Sequence, residues 1–130
     1  MSRTKKIVID LDHTLTLESG SDYESALPNL SVIEKVREYK GLNFEIIIHT
    51  SRNMRTFGGN VGKINAHTLP QILRWLEKHS IPFDEIHVGK PWCGEDGFYV
   101  DDRAIRPNEF ANLNLDQIYA LIKTTKSNEN

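Results

Sequence analysis

The sequence predicts an α/β protein with a doubly wound parallel sheet in a three-layer α/β/α arrangement. Three observations carry that expectation. Short β-branched runs, Ile7-Val8-Ile9 and Ile46-Ile47-Ile48, lack the polar alternation of a one-sided sheet and suit strands covered on both faces. Stretches of helical period stand between and after such runs, the pattern of crossover connections. Polar residues with chemistry to offer follow the runs: Asp10 and Asp12, Thr50 and Ser51, Lys90, then Asp101 and Asp102.

Composition narrows the class further. At 130 residues the chain fits one domain, placed at residues 1–124, with 125–130 as a polar tail frayed from about Thr124. Charged residues make up 26% and hydrophobic ones 38%, ordinary values for a soluble globular protein. A formal net charge of -2 with dispersed Lys and Arg offers no basic stripe, so nucleic acid is disfavoured as a partner. The apolar run after the basic start is too short for a signal peptide, and no stretch approaches a membrane span. One cysteine, Cys93, leaves no intrachain disulfide and too few thiols for structural zinc, which fits the cytoplasm.

The first strand ends in Asp10 and Asp12, two apart and therefore directed to one side. Two carboxylates so placed repel each other and lose hydration, and a hard divalent cation is the natural compensation. Residues 13–29 are irregular and polar, a flap beside the acids. Ser31 and Glu34 have capping-box spacing before a helix with Val32, Val36 and Tyr39 on its apolar face, stopped by Gly41. The second strand, 44–49, runs into Thr50, Ser51, Arg52 and Asn53. The glycines that follow, Gly58, Gly59 and Gly62, fail the phosphate-loop pattern in spacing and in the residue after Lys63. Leu69, Ile72, Leu73 and Leu76 mark a helix over about 65–79, with Thr68 and Pro70 in its first turn. A third strand at 85–88 leads to Gly89-Lys90-Pro91, and Phe98-Tyr99-Val100 forms a fourth that again ends in paired acids. Pro107 opens a short helix, and Asn114 with Gln117 caps the last one.

In an open parallel sheet ligands bind outside the carboxyl ends of the strands. That rule gathers Asp10, Asp12, Thr50, Ser51, Lys90, Asp101 and Asp102 into one concavity, and the chemistry they suit is phosphoryl transfer.

These residues also carry a resemblance. Asp10-Leu11-Asp12-His13-Thr14, Thr50 after an apolar strand, Lys90 and Asp101-Asp102 resemble, in order and spacing, the four motifs of the haloacid dehalogenase superfamily of phosphohydrolases. The runs Ile-Ile-Ile-His-Thr-Ser-Arg, Val-Gly-Lys-Pro-Trp and Tyr-Val-Asp-Asp-Arg-Ala look like its small bacterial members associated with capsule or surface-polysaccharide synthesis. The resemblance implies Asp10 as nucleophile and metal ligand, and Asp12 as acid and base with its carbonyl on Mg2+. It implies Thr50, with Ser51, on the phosphoryl oxygens, Lys90 as charge balance, Asp101 in the metal shell and Asp102 behind it. Many members have glycine where this chain has His13. With no room for an inserted cap, selectivity would fall to His13, Arg52, Asn53, Arg103 and Arg106, and a second subunit covering the cleft would supply what a cap does. Trp92 and Cys93 are read as rim or packing residues.

The resemblance thus implies a magnesium-dependent phosphomonoesterase acting on a small phosphorylated metabolite, working through an aspartyl phosphate. A phospho-accepting receiver domain combines similar residues, but its acid pair follows the first strand and its phosphorylated Asp the third. A nucleic-acid end phosphatase is the other alternative, and a metal-dependent glycosyltransferase lacks space for two substrates.

Overall fold

The computed structural model describes residues 3–17 and 22–127, so part of the expected flap, 18–21, and the last of the tail, 128–130, lie outside the described residues. Two compact units emerge, Met1–Trp92 and Cys93–Asn130.

The first unit holds a parallel sheet with order β1-β2-β3, from β1 (Lys6–Ile9), β2 (Glu45–His49) and β3 (Glu85–His87). Ile7, Val8 and Ile9 stand opposite Ile46, Ile47 and Ile48, and Ile48 opposite Ile86, so the β-branched runs do pair in register. Helix α1 (Leu30–Gly41) presents Val32, Ile33, Val36 and Tyr39 to the core. Its cap differs from the sequence expectation: the helix starts one residue before Ser31, and the Ser31 hydroxyl donates to Asn29 Oδ1. Tyr39 meets Phe44 edge to face, closing the turn into β2.

The expected helix at 65–79 is longer and composite. A turn of α2 (Val61–Lys63) passes through a π-helical turn at Ile64–Thr68 into α3 (Leu69–Lys78), which buries Ile72, Trp75 and Leu76. Trp75 is core, and its indole Nε1–H donates to the Ala26 carbonyl at 2.9 Å. That bond and the Arg74–Glu24 ion pair pin the described part of the flap, which also bridges Thr16 to Pro28 and contains a 3-10 turn at Tyr23–Ser25.

The second unit carries α4 (Pro107–Asn112) and α5 (Leu115–Ser127). Asn114 and Gln117 cap α5 reciprocally, each backbone N–H donating to the other's side-chain oxygen. The helix extends to Ser127, past the point where fraying is expected. Residues 97–101 belong to no strand, so the expected fourth strand does not form. Three residues make few ladder bonds, and such a strand needs a partner edge to exist. No described helix is long and apolar enough to cross a membrane.

Candidate active site

The site begins with a tight loop after β1. Leu11 and Leu15 are buried, and the Leu11 carbonyl accepts from the N–H groups of Leu15 and Thr16, so the chain turns back at once. The turn places His13 in the left-handed region at φ 62, which favours glycine, and its N–H donates to Thr16 Oγ1 at 3.0 Å. This backbone demand accounts for glycine in the resembling family. The His13 side chain is exposed.

Asp10 sits half-buried at the carboxyl end of β1. Burial pushes its carboxyl above the ordinary carboxylate range, opposed by Lys90, whose Nζ lies 3.8 Å from Oδ1, and by the Leu11 N–H. The Thr14 hydroxyl reaches Oδ2 at 3.5 Å. Lys90 is brought there by backbone: Thr50 N–H donates to the His87 carbonyl, and Lys90 N–H to the Thr50 carbonyl at 3.1 Å. Thr50 and Lys90 are thus tied to each other just beyond the strands that deliver them. Gly89 makes this approach possible, with φ +86 and only 3.1 Å between an added Cβ and Val61.

Asp12 has a different partner. Arg52 Nη2 and Nε donate to its two carboxylate oxygens at 2.6 and 3.1 Å, a bidentate fork. The Arg52 side chain is only 1% exposed and that of Asp12 22%. Tyr23 lies over the guanidinium, 4.1 Å from ring centroid to Cζ. Arg52, expected to contact substrate, is committed to holding Asp12. The charge compensation that the sequence assigns to a cation is therefore supplied in part by Arg52 and Lys90.

Asn53 is also left-handed, at φ 62, and its Oδ1 accepts from the buried Thr68 hydroxyl at 2.6 Å. The π-turn sets Thr68 at that position; such turns recur at functional sites. Asn53, Tyr23, Phe57 and His67 line a cavity of about 380 Å³, with Asp22 and Glu24 adding acid and Gln71 an amide. Sequence reasoning missed Tyr23, Thr68 and His67. None stands next to a motif, and no local signal sets them apart. Ser51 is half-buried after Thr50, with its carbonyl accepting from Met54 N–H.

Asp101, Asp102, Arg103 and Arg106 belong to the second unit. There the Arg103 N–H donates to Asp101 Oδ1 at 3.0 Å, and that bond, with help from Asp102, holds the Asp101 carboxyl below its usual range. Arg106 N–H donates to Glu109 and opens α4. Cys93 is half-buried, with its thiol toward the Gly94 carbonyl. Among the described residues no three His, Cys, Asp or Glu side chains converge as a metal cluster. Magnesium asks for less, one or two carboxylates with the remaining positions filled by water and phosphate oxygen, and the half-buried Asp10 carboxylate meets that demand.

Fold and site together define a parallel α/β protein with acids and their cationic partners at the carboxyl edge of the sheet. The chain is 62% identical to a Vibrio cholerae protein whose crystal structure is described as that of an MCSG target, over 93% of this chain and 98% of that one, with a TM-score of 0.92. The two belong to one family. Two further structures share the fold at a TM-score of 0.51. One is a chain of a Pnkp1/Rnl/Hen1 complex, 24% identical over 86% of this chain. The other is a chain of the Pnkp1/Rnl/Hen1 RNA repair complex, 19% identical over 91%. This chain spans about a third of each, 36% and 32% respectively. No protein-family model and no curated protein matches the chain.

Proposed function

We propose that the protein is a magnesium-dependent phosphomonoesterase of the haloacid dehalogenase type, acting on a small hydroxylated metabolite phosphate such as a sugar phosphate. The observation that carries the reading is the unlike treatment of two acids two residues apart. Asp10 is half-buried against Lys90 and open to a ligand, whereas Asp12 is clamped by a buried arginine. A nucleophile must present its oxygen to phosphorus, while a proton-transfer group must hold one orientation. In this reading Asp10 attacks phosphorus and forms an aspartyl phosphate. Asp12, oriented by Arg52, enters the first step protonated with one bond of the fork opened, hands that proton to the leaving alkoxide, and as a carboxylate again takes one from the water that hydrolyses the aspartyl phosphate. Lys90 and Thr50 stabilise the charge that develops on the phosphoryl oxygens.

The charges favour a cation. Lys90 cancels the charge of Asp10, and Arg52 offsets at most one further negative charge, so a phosphate dianion arrives incompletely compensated. Mg2+, held by Asp10 and the Asp12 carbonyl and completed by Asp101 as the resemblance implies, supplies that balance when bound. The cavity beside Tyr23 and Asn53 offers an aromatic face and amides, which suit a sugar, and its acids Asp22 and Glu24 repel a polyanion. A role in surface-polysaccharide synthesis is consistent with such a substrate.

Nucleic-acid end processing is the second reading, favoured by the fold shared with chains of an RNA repair complex. One experiment separates the two: phosphate release with Mg2+ from p-nitrophenyl phosphate, a sugar-phosphate panel and end-phosphorylated oligonucleotides. We expect turnover abolished in Asp10→Asn and by chelation, with sugar phosphates preferred. Preference for oligonucleotides would install the second reading, and no release from any of them would refute both.

A further inference from the structure

The turn that Asn53 makes does not by itself account for its side chain. At φ 62 the residue sits in the left-handed region, where glycine is easiest and asparagine is tolerated. The Phe57 N–H donates to the Asn53 carbonyl at 3.0 Å, so the turn closes through backbone that a glycine would supply equally well.

The partners of the amide fix its direction. Its Oδ1 accepts from the Thr68 hydroxyl at 2.6 Å, a separation proper to an O–H donor and too short for an N–H. Oxygen and nitrogen of the amide are thereby told apart. Nδ2 donates one hydrogen to Thr56 Oγ1 at 3.2 Å, and its other hydrogen has no partner among the described residues. Thr68 lies on the π-turn and is only 1% exposed, so packing holds the hydroxyl that holds the amide.

Asn53 and Thr68 both line the cavity of about 380 Å³, with Tyr23 and Gln71. Asn53 follows Arg52 in the chain, and Tyr23 lies over the Arg52 guanidinium, so this wall adjoins the clamp on Asp12. An acid that protonates a leaving oxygen stands on the leaving group's side of phosphorus. The cavity is therefore on the side of the alcohol.

We infer that Asn53 is a specificity-determining residue whose remaining amide N–H donates to a hydroxyl oxygen of the ligand's sugar-like part, and that Thr68 is the residue that positions it. Treating that part as a leaving alcohol rests on the phosphatase reading; its recognition by Asn53 does not. A donor fixed in a cavity wall discriminates, because a ligand with no oxygen at that place leaves it unpaired. Without the Thr68 hydroxyl the amide is free to turn and present its oxygen instead.

Two measurements test the inference. The first is the ratio of kcat/KM for hexose phosphates to that for phenyl phosphate, whose ring carries no hydroxyl. A merely structural loss lowers both values and leaves the ratio where it was. Asn53→Gly keeps the turn and removes the amide, and should lower the ratio about tenfold. Thr68→Val should lower it comparably, and Thr68→Ser should restore it. An unchanged ratio in Asn53→Gly overturns the recognition; an unchanged ratio in Thr68→Val, or no restoration by serine, overturns the role of Thr68. The second is binding without turnover, followed by NMR of side-chain amides in Asp10→Asn with Mg2+. The Asn53 signals are assigned by their absence when Asn53→Gly is added. Hexose phosphates should shift them, while inorganic phosphate and phenyl phosphate should not; equal shifts or none overturns the recognition. If the wild type releases no phosphate from any substrate, the phosphatase reading fails and the NMR result decides the inference. If it is active and neither the ratio nor the signals move, the inference fails and the reading stands.

Discussion

Replacing Arg52 by Met removes both donors to Asp12 and the cation beneath Tyr23 while keeping an unbranched side chain of similar length. Removing one partner of a buried ion pair ordinarily costs about 3–5 kcal/mol. Asp12 keeps some contact with water, at 22% exposure, so part of that penalty is relieved and about 2–3 kcal/mol is expected. Asp12→Asn strands the other partner, and Arg52 at 1% exposure has less water to turn to, so the cost is at least as large. The double variant strands neither charge. Its destabilisation should fall short of the sum of the singles by about 1.5 kcal/mol or more, as contacting charged pairs do. Urea unfolding followed by fluorescence gives all the corners of the cycle, provided the slope is unchanged between variants. Arg52→Lys should rescue only part, because an ammonium cannot reproduce the fork. A coupling below about 0.5 kcal/mol would refute the claim that Arg52 holds Asp12, since separated sites are additive to that level.

Two other outcomes follow from the fold. Asp84 accepts from Lys40 at 2.7 Å and from the Ile46 N–H at 2.8 Å, and these bonds hold its carboxyl below 3.8. A carboxyl lowered by folding adds stability that is present above its unfolded value and lost as pH falls through the folded one. The melting temperature of the wild type should therefore exceed that of Asp84→Asn at pH 7, and the difference should shrink as pH falls through and below the ordinary carboxylate range; a constant difference would remove Asp84 from the account. Gly89→Ala must place a side chain at φ +86 against Val61, so urea unfolding should show a loss of about 1–2 kcal/mol and, on the proposed function, phosphate release should fall as Lys90 shifts. Unchanged stability and activity would show that this close approach is dispensable.

Much of the first unit was legible because its signals are local. Ile7-Val8-Ile9 and Ile46-Ile47-Ile48 are consecutive and pair in register, although only the second run is buried throughout and Val8 of the first is exposed. The same holds for the α5 cap, where Asn114 and Gln117 are three residues apart. The π-turn at Ile64–Thr68 was not legible, because inserting one residue per turn leaves the apolar spacing of the following helix unchanged. Residues 98–100 illustrate the opposite error. Their composition is that of a strand, yet a strand exists only with an edge to pair with, and composition says nothing about which edge.

In the site, the same distinction separates what was seen from what was not. Asp10, Thr50 and Lys90 could be found one at a time, each by its position at the end of an apolar run. Arg52 could be named but its task could not, because an arginine reaches far enough that its partner, Asp12, is forty residues away in sequence. Its local surroundings, a polar loop after a strand, are those of a surface residue. The fold inverts that expectation by laying Tyr23 over the guanidinium, and Tyr23 is held there through Ala26 by Trp75 of α3. The orientation of Asp12 thus depends on packing contributed by a helix that carries none of the four motifs. A substitution in α3 that loosens the Trp75–Ala26 bond should therefore disturb the acid without touching it, whereas one at the exposed Glu34 of α1 should not.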